Sequence, residues 1–191
     1  MVTKKSIGIL ALQGDVTLHQ QSLRALGVEP ILVKLPSQLN QLDGLIIPGG
    51  ESTALLKLAE PIGMLSAITS FSKNGGSIFG TCAGAILLAK NVTHPAQFSL
   101  SLINIDIKRN GYGRQLDSAE TSGEAAAELG NELPMTFIRA PRITKTGNNV
   151  DVLATYNSDP VLVRQGKILA ATFHPELTDS HIVYNYWLGM L

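Results

Sequence analysis

Short apolar, β-branched runs alternate with helix-period segments through the first half of the chain. Ser6–Leu12, Pro30–Val33, Gly44–Ile47 and Ser77–Phe79 have the continuous apolar character of buried strands. Between them, Thr17–Leu26, Ser52–Leu58, Gly63–Asn74 and Ala83–Lys90 carry apolar residues at helical spacing. This alternation predicts βαβ units and a mixed, mostly parallel sheet with helices on both faces, a three-layer αβα architecture of the α/β class. The second half changes character. Ile103–Arg109, Thr136–Arg142, Val150–Tyr156, Val161–Arg164 and Ile168–Thr172 follow one another as strands, partly antiparallel, and His181–Leu191 closes as an amphipathic helix. Ala119–Leu129 is rich in Ala and Glu and reads as helix by propensity, although its flanks tolerate an extended piece through Ser118–Thr121.

Composition narrows the possibilities. With 191 residues and 45% hydrophobic content, the chain can build a single sizeable core. No linker, internal repeat or low-complexity tract divides it. Fifteen basic and fifteen acidic side chains cancel, so no overall field points to nucleic acid or to an anionic membrane. The apolar runs are too short to cross a bilayer. Met1–Leu12 lacks the apolar length and cleavage site of a signal peptide. One cysteine cannot close an internal disulfide, which agrees with a cytoplasmic setting.

That cysteine carries the chemistry. Ser77-Ile78-Phe79 runs into Gly80-Thr81-Cys82-Ala83-Gly84, and an alanine-rich apolar run follows. Strand, Gly-x-Cys-x-Gly turn and helix form the grammar that exposes a nucleophile at the end of a parallel sheet. A sulfur at a helix N-terminus also meets the positive end of the helix dipole, which favours the thiolate. A nucleophile needs a base, and the base needs an orienting group. Phe173-His174-Pro175-Glu176 ends another apolar strand, and Pro175 biases His174 to an extended conformation. Residues i and i+2 of an extended segment point the same way, so Glu176 can reach the His174 ring. Taken alone, a lone cysteine is more often a small buried hydrophobe than a nucleophile. The elbow and His-Pro-Glu together reverse that balance.

The remaining histidines are ordinary by comparison. His94-Pro95 has no following carboxylate and reads as a loop, His19 as part of an exposed helix face, and His181 as near a helix start. Leu45–Thr53 contains Pro48-Gly49-Gly50-Glu51-Ser52, a strand entering a glycine turn and a helix start. By itself it is a βα turn capped by Ser52. Beside a nucleophile, the backbone N–H groups of Gly50 and Ala83 become candidate oxyanion donors. The glycine patterns of dinucleotide and P-loop sites are absent, and the cysteine and histidines lack ligand spacing, so neither cofactor nor metal is expected.

Gly80-Thr81-Cys82-Ala83-Gly84 with His174-Pro175-Glu176 resembles the triad-type (class I) glutamine amidotransferases, whose fold is flavodoxin-like. Pro48–Thr53, Arg109-Asn110, Gly113-Arg114-Gln115-Leu116-Asp117-Ser118, Ile138-Arg139-Ala140-Pro141 and Leu12-Gln13-Gly14 narrow the resemblance to the PdxT/SNO family, the glutaminase subunits of pyridoxal 5′-phosphate synthase. The chain departs mildly from the family at Gly111 and Tyr112, where serine and phenylalanine are expected. Ala119–Leu129 matches weakly, and similarity favours strand for its beginning.

The resemblance implies one glutaminase domain over residues 1–191, with Cys82, His174 and Glu176 catalytic. It assigns L-glutamine binding to Gly50, Glu51, Ser52, Arg109, Ile138 and Arg139. A zwitterionic amino acid needs a cation for its carboxylate and an acceptor for its ammonium, which suits the arginines and Glu51. The resemblance also implies a synthase partner in a large hetero-oligomer, to which ammonia passes. Other readings stay open on the residues alone. They are a glutaminase serving a different synthase such as that of histidine biosynthesis, a non-catalytic glutamine-binding module, and a cysteine peptidase or γ-glutamyl hydrolase.

Overall fold

Strand β1 (Ile7–Leu10) lies second from one edge of the main sheet in the computed structural model, which describes residues 5–112 and 118–191. It pairs in parallel with β2 (Ile31–Val33) on one side and β3 (Gly44–Ile47) on the other. β3 pairs in parallel with β4 (Ser77–Thr81). Most of the Gly113–Ser118 run lies outside the described residues.

Helices α1 (Val16–Ala25), α2 (Ser52–Ala59), α3 (Met64–Lys73) and α4 (Ala83–Leu88) occupy the predicted places. The small sheet β5 (Ala89–Thr93), β6 (Ile103–Lys108) and β9 (Arg142–Thr146) stands apart from the main one. The main sheet continues through β7 (Ser118–Ala125), β8 (Glu132–Ile138), β10 (Asp151–Tyr156), β11 (Asp159–Gln165) and β12 (Ile168–Ala171), and α5 (Ile182–Leu188) ends the chain. Its order is β2-β1-β3-β4-β12-β11-β10-β7-β8, with β12 parallel to β4 and the strands beyond it antiparallel.

Period-2 alternation sorts the core into two layers. Leu10, Leu45, Ile47, Ile78 and Ala170 pack with Leu55, Met64, Ile68 and Leu87 from α2, α3 and α4. Their neighbours Ile9, Ile46, Phe79 and Leu169 point the other way, against Leu23 of α1 and Val183, Tyr184 and Trp187 of α5. The αβα layering and the mixed sheet are as the pattern predicts, with parallel pairing from β2 to β12. Among the described residues no single helix is long and apolar enough to cross a membrane.

Three expectations need correction. Ala119–Leu129 is not a helix: β7 pairs in register with β8 from Ser118↔Ile138 to Glu124↔Glu132, and only Ala127–Leu129 turns as a 3-10 helix. Pairing against a strand that buries Leu133, Met135 and Phe137 overrides the helix propensity of Ala and Glu. Ala83–Lys90 is helical only to Leu88. Ala89 already pairs with Ile103, and the Asn-Val-Thr that follows is poor helix material. Thr136–Arg142 is not one strand. Arg139 takes φ +42°, which ends β8 at Ile138 and starts β9 at Arg142.

Candidate active site

The carboxyl ends of β1, β3, β4 and β12 lie side by side in the sheet, and each delivers residues to one cleft. β4 delivers Cys82, whose N–H donates to Ala171 O at 2.9 Å and whose backbone turns at φ +46° into α4. A non-glycine residue at positive φ is strained, and here the strain lifts the thiol clear of the strand. The turn is possible because of Gly84: a Cβ there would lie 2.1 Å from Ile47 O of the neighbouring strand end. Sequence and geometry agree on why this position is glycine.

β12 delivers His174, whose N–H donates to Thr136 O at 2.8 Å, and Glu176 follows in a short 3-10 turn. His174 Nδ1 is 2.7 Å from Glu176 Oε1, and Cys82 lines the same cleft as the ring. With Nδ1 given to the carboxylate, Nε2 is the nitrogen left to exchange a proton with sulfur. All three side chains are buried. Burial opposes a charged imidazole, but the hydrogen bonds and charges of Cys82 and Glu176 outweigh it and push His174 up to about 10. Burial likewise works against ionised Glu176. The neighbouring His19 imidazole, the His174 hydrogen bond and the His174 charge overcome it and hold the carboxyl below its usual range. An imidazolium beside sulfur stabilises the thiolate form. The arrangement can therefore support nucleophilic attack and general acid–base transfer.

The cleft has a volume of about 410 Å³ and is lined by Asp15, Gly50, Glu51, Ser52, Cys82, Ile86, Arg109, Asn110, Ile138, Arg139 and His174. Every side-chain or turn residue assigned to glutamine by resemblance is thus at this cleft. Ala83 is not among its lining. It is the buried first residue of α4, directly after Cys82. Gly50 adopts φ +141°, with Gln13 where a Cβ would stand. A larger depression of about 640 Å³ around Lys5, Asp43 and Lys167 does not include Cys82.

Two assignments in this region change. Ser52 does not cap α2. Glu51 does, accepting from Thr53 N at 3.0 Å and Ala54 N at 2.6 Å, while buried Ser52 donates to Gln97 Oε1 at 2.9 Å. The longer Glu51 side chain reaches back over its own helix start, which a serine one residue later cannot do. Glu51 also receives Arg109 Nη2 at 3.2 Å. Burial disfavours its charge, but the two amides and Arg109 together keep its carboxyl below the usual range.

His19 is not on an exposed face. It is fully buried, with Nδ1 2.6 Å from Tyr184 Oη and Nε2 3.2 Å from Thr81 Oγ1. The signal was its spacing: His19, Ser22 and Leu23 form the buried i, i+3, i+4 stripe of α1. Asp15 was also missed. Its Oδ2 lies 3.6 Å from His174 Nδ1, and its position just past β1, at the same sheet end as Cys82, marked it. His94 is in an exposed loop and His181 precedes α5, both as expected.

Asp15, His174 and Glu176 offer donor atoms within 4.8 Å of one another. Nδ1 is bonded to Glu176, an arrangement that suits proton transfer.

A five-strand parallel run with a cysteine elbow beside His and Glu defines a class, the glutamine amidotransferases. A solved crystal structure of a glutamine amidotransferase is similar at a TM-score of 0.91 and 42% identity, covering 96% of this chain and 97% of that one. The structure of PurLQS from Thermotoga maritima shares the fold at a TM-score of 0.73 and 16% identity, over 97% of this chain and 98% of that one. Within the class, the SNO glutamine amidotransferase family matches residues 9–191, and the chain belongs to that family. Pyridoxal 5′-phosphate synthase subunit PdxT of Thermotoga maritima is 49% identical over 97% of this chain and 98% of its own length. The protein of the same description from Solibacter usitatus is 46% identical over 98% and 100%.

Proposed function

We propose that the chain is the glutaminase subunit of a cytoplasmic pyridoxal 5′-phosphate synthase, hydrolysing L-glutamine to L-glutamate and ammonia. The observation that carries this reading is the buried Cys82–His174–Glu176 arrangement, its His174–Glu176 contact 2.7 Å long, opening on a cleft that includes Glu51 and Arg109. The near full-length similarity to proteins described as PdxT supports the choice of synthase.

In this mechanism Cys82 sulfur attacks the side-chain amide carbon of glutamine. The oxyanion is met by the N–H groups of Gly50 and Ala83, His174 protonates the departing ammonia, and a glutamyl thioester remains on Cys82. His174 then takes a proton from water, which releases glutamate and restores the thiol. Arg109 or Arg139 takes the substrate carboxylate and Glu51 its ammonium, with Ser52 and Ile138 shaping the wall. Ammonia passes to a synthase subunit docked in a hetero-oligomer, which uses it with ribose 5-phosphate and glyceraldehyde 3-phosphate. The glycine turn at Gly49-Gly50 can rearrange at low cost, so docking can set the oxyanion donors and restrain idle hydrolysis.

A glutaminase assay on the chain alone and with a synthase subunit, using Cys82→Ala as control, tests this reading. Stimulation by the partner and loss of glutamate release in Cys82→Ala are expected. Turnover that survives Cys82→Ala removes the mechanism, and equal rates with and without the partner remove the gating.

A further inference from the structure

His19 is a polar side chain in an apolar layer, and no step above uses it. Around it are α5 through Tyr184, β4 through Thr81 and the turn after β12 through Glu176. Nε2 faces Glu176 Oε1 at 3.6 Å and Thr81 Oγ1 at 3.2 Å, and Nδ1 faces the Tyr184 hydroxyl at 2.6 Å. The titratable groups facing His19 are Glu176, Asp15 and His174, and those facing Glu176 are His19 and His174, with the Tyr184 hydroxyl near both.

The proton positions follow from these neighbours. Burial lowers the affinity of His19 for a second proton more than Glu176 and Asp15 raise it, so the ring is neutral and carries one N–H. A bare nitrogen lone pair turned to a carboxylate is repulsive, so that proton sits on Nε2. Nδ1 then accepts from Tyr184, whose hydroxyl is held protonated by burial. Thr81 is the last residue of β4, directly before Cys82, so the same imidazole touches the elbow strand and the carboxylate.

We propose that His19 is a positioning residue of the catalytic centre: anchored by Tyr184, it aims its Nε2 proton at Glu176 and Thr81 and so fixes the carboxylate that aligns His174. A buried carboxylate that loses the imidazole N–H facing it at 3.6 Å is less well held as an anion. The His174 imidazolium then loses support, and with it the sulfur that depends on that imidazolium. The inference rests on Cys82 being activated through His174 and Glu176.

The test pairs two measurements on the full chain: steady-state glutamine hydrolysis, and the pH dependence of Cys82 alkylation by iodoacetamide. Alkylation needs no glutamine. A wild type that hydrolyses no glutamine even with the synthase subunit added therefore sinks the proposed function while leaving this test intact. His19→Leu should lower kcat about tenfold with KM nearly unchanged, and raise the pH midpoint of alkylation by about one unit. His19→Gln, which keeps an N–H near the position of Nε2, should recover most of both. A purely structural histidine predicts a lower melting temperature with wild-type kcat and midpoint in His19→Leu, and that result overturns the proposal. So does failure of folded His19→Gln to recover either quantity. Should His19→Leu fail to fold, Tyr184→Phe decides. It leaves the imidazole but removes its anchor, and the proposal requires its alkylation midpoint to rise.

Discussion

Arg109 Nη2 lies 3.2 Å from Glu51 Oε1 at the cleft and also donates to Thr53 Oγ1 at 3.1 Å. The cation and anion expected to take opposite ends of glutamine are here each other's partners. Glu51 is 59% exposed in its side chain, so the pair adds little to stability and its separation on binding costs little. Arg109→Ala should raise KM for glutamine about tenfold or more, with a smaller change in kcat and no loss of melting temperature. Glu51→Ala should raise KM and also lower the melting temperature, because it removes the α2 cap, worth about 1 kcal/mol. Equal KM values for Arg109→Ala and wild type would remove Arg109 from the binding site.

The state of His174 gives a pH dependence. It must be protonated to donate to leaving ammonia, and an ordinary imidazole would lose that proton at about 6.5. Burial works against the charged ring, but the contacts with Cys82 and Glu176 push it up to about 10. The alkaline limb of kcat/KM for glutamate release is therefore expected near 10, with a plateau through neutral pH. A fall in rate between pH 6 and 7 would show that the two contacts do not hold the ring charged.

In the proposed mechanism Glu176 acts only through His174. Glu176→Gln keeps the volume of a buried side chain but removes the charge and one acceptor. We expect kcat to fall about ten- to a hundredfold with KM little changed, a milder loss than in His174→Asn, which deletes the acid itself. Full activity in Glu176→Gln would show that another acceptor, such as Asp15 at 3.6 Å from the same nitrogen, orients the ring.

The elbow and His-Pro-Glu were legible because each is a local device, a few residues at the end of an apolar run. What brings them together is sheet order, with β12 beside β4, and this follows from parallel pairing that period-2 patterns do not rank. His19 was hidden for the opposite reason. A polar residue in a helix is read outward, and only the buried trio of Tyr184, Thr81 and Glu176 reverses that reading. Ala119–Leu129 misled because Ala and Glu favour helix wherever packing is silent, and there β8 supplies the packing. The break at Arg139 left no mark, since arginine has no special claim to a positive φ.

Gly49 offers the sharpest steric test of the site. A Cβ at this position would lie 2.6 Å from His174 Cε1 and 3.1 Å from Nδ1, the nitrogen bonded to Glu176. The imidazole is tied through Nδ1 to Glu176 at 2.7 Å, so it cannot shift without straining that contact. Gly49→Ala should therefore displace the ring by a fraction of an ångström to an ångström and cut kcat by about a hundredfold, the scale expected for such a misplacement. The atoms nearest the added methyl belong to His174 and Asp15 and not to the apolar layers, so far-UV circular dichroism and melting temperature should change little. KM should move less than kcat, because Arg109 and Glu51 are untouched. A Gly49→Ala variant with wild-type kcat would mean that the ring has room the structure denies it, and that its alignment by Glu176 matters less than the 2.7 Å contact implies.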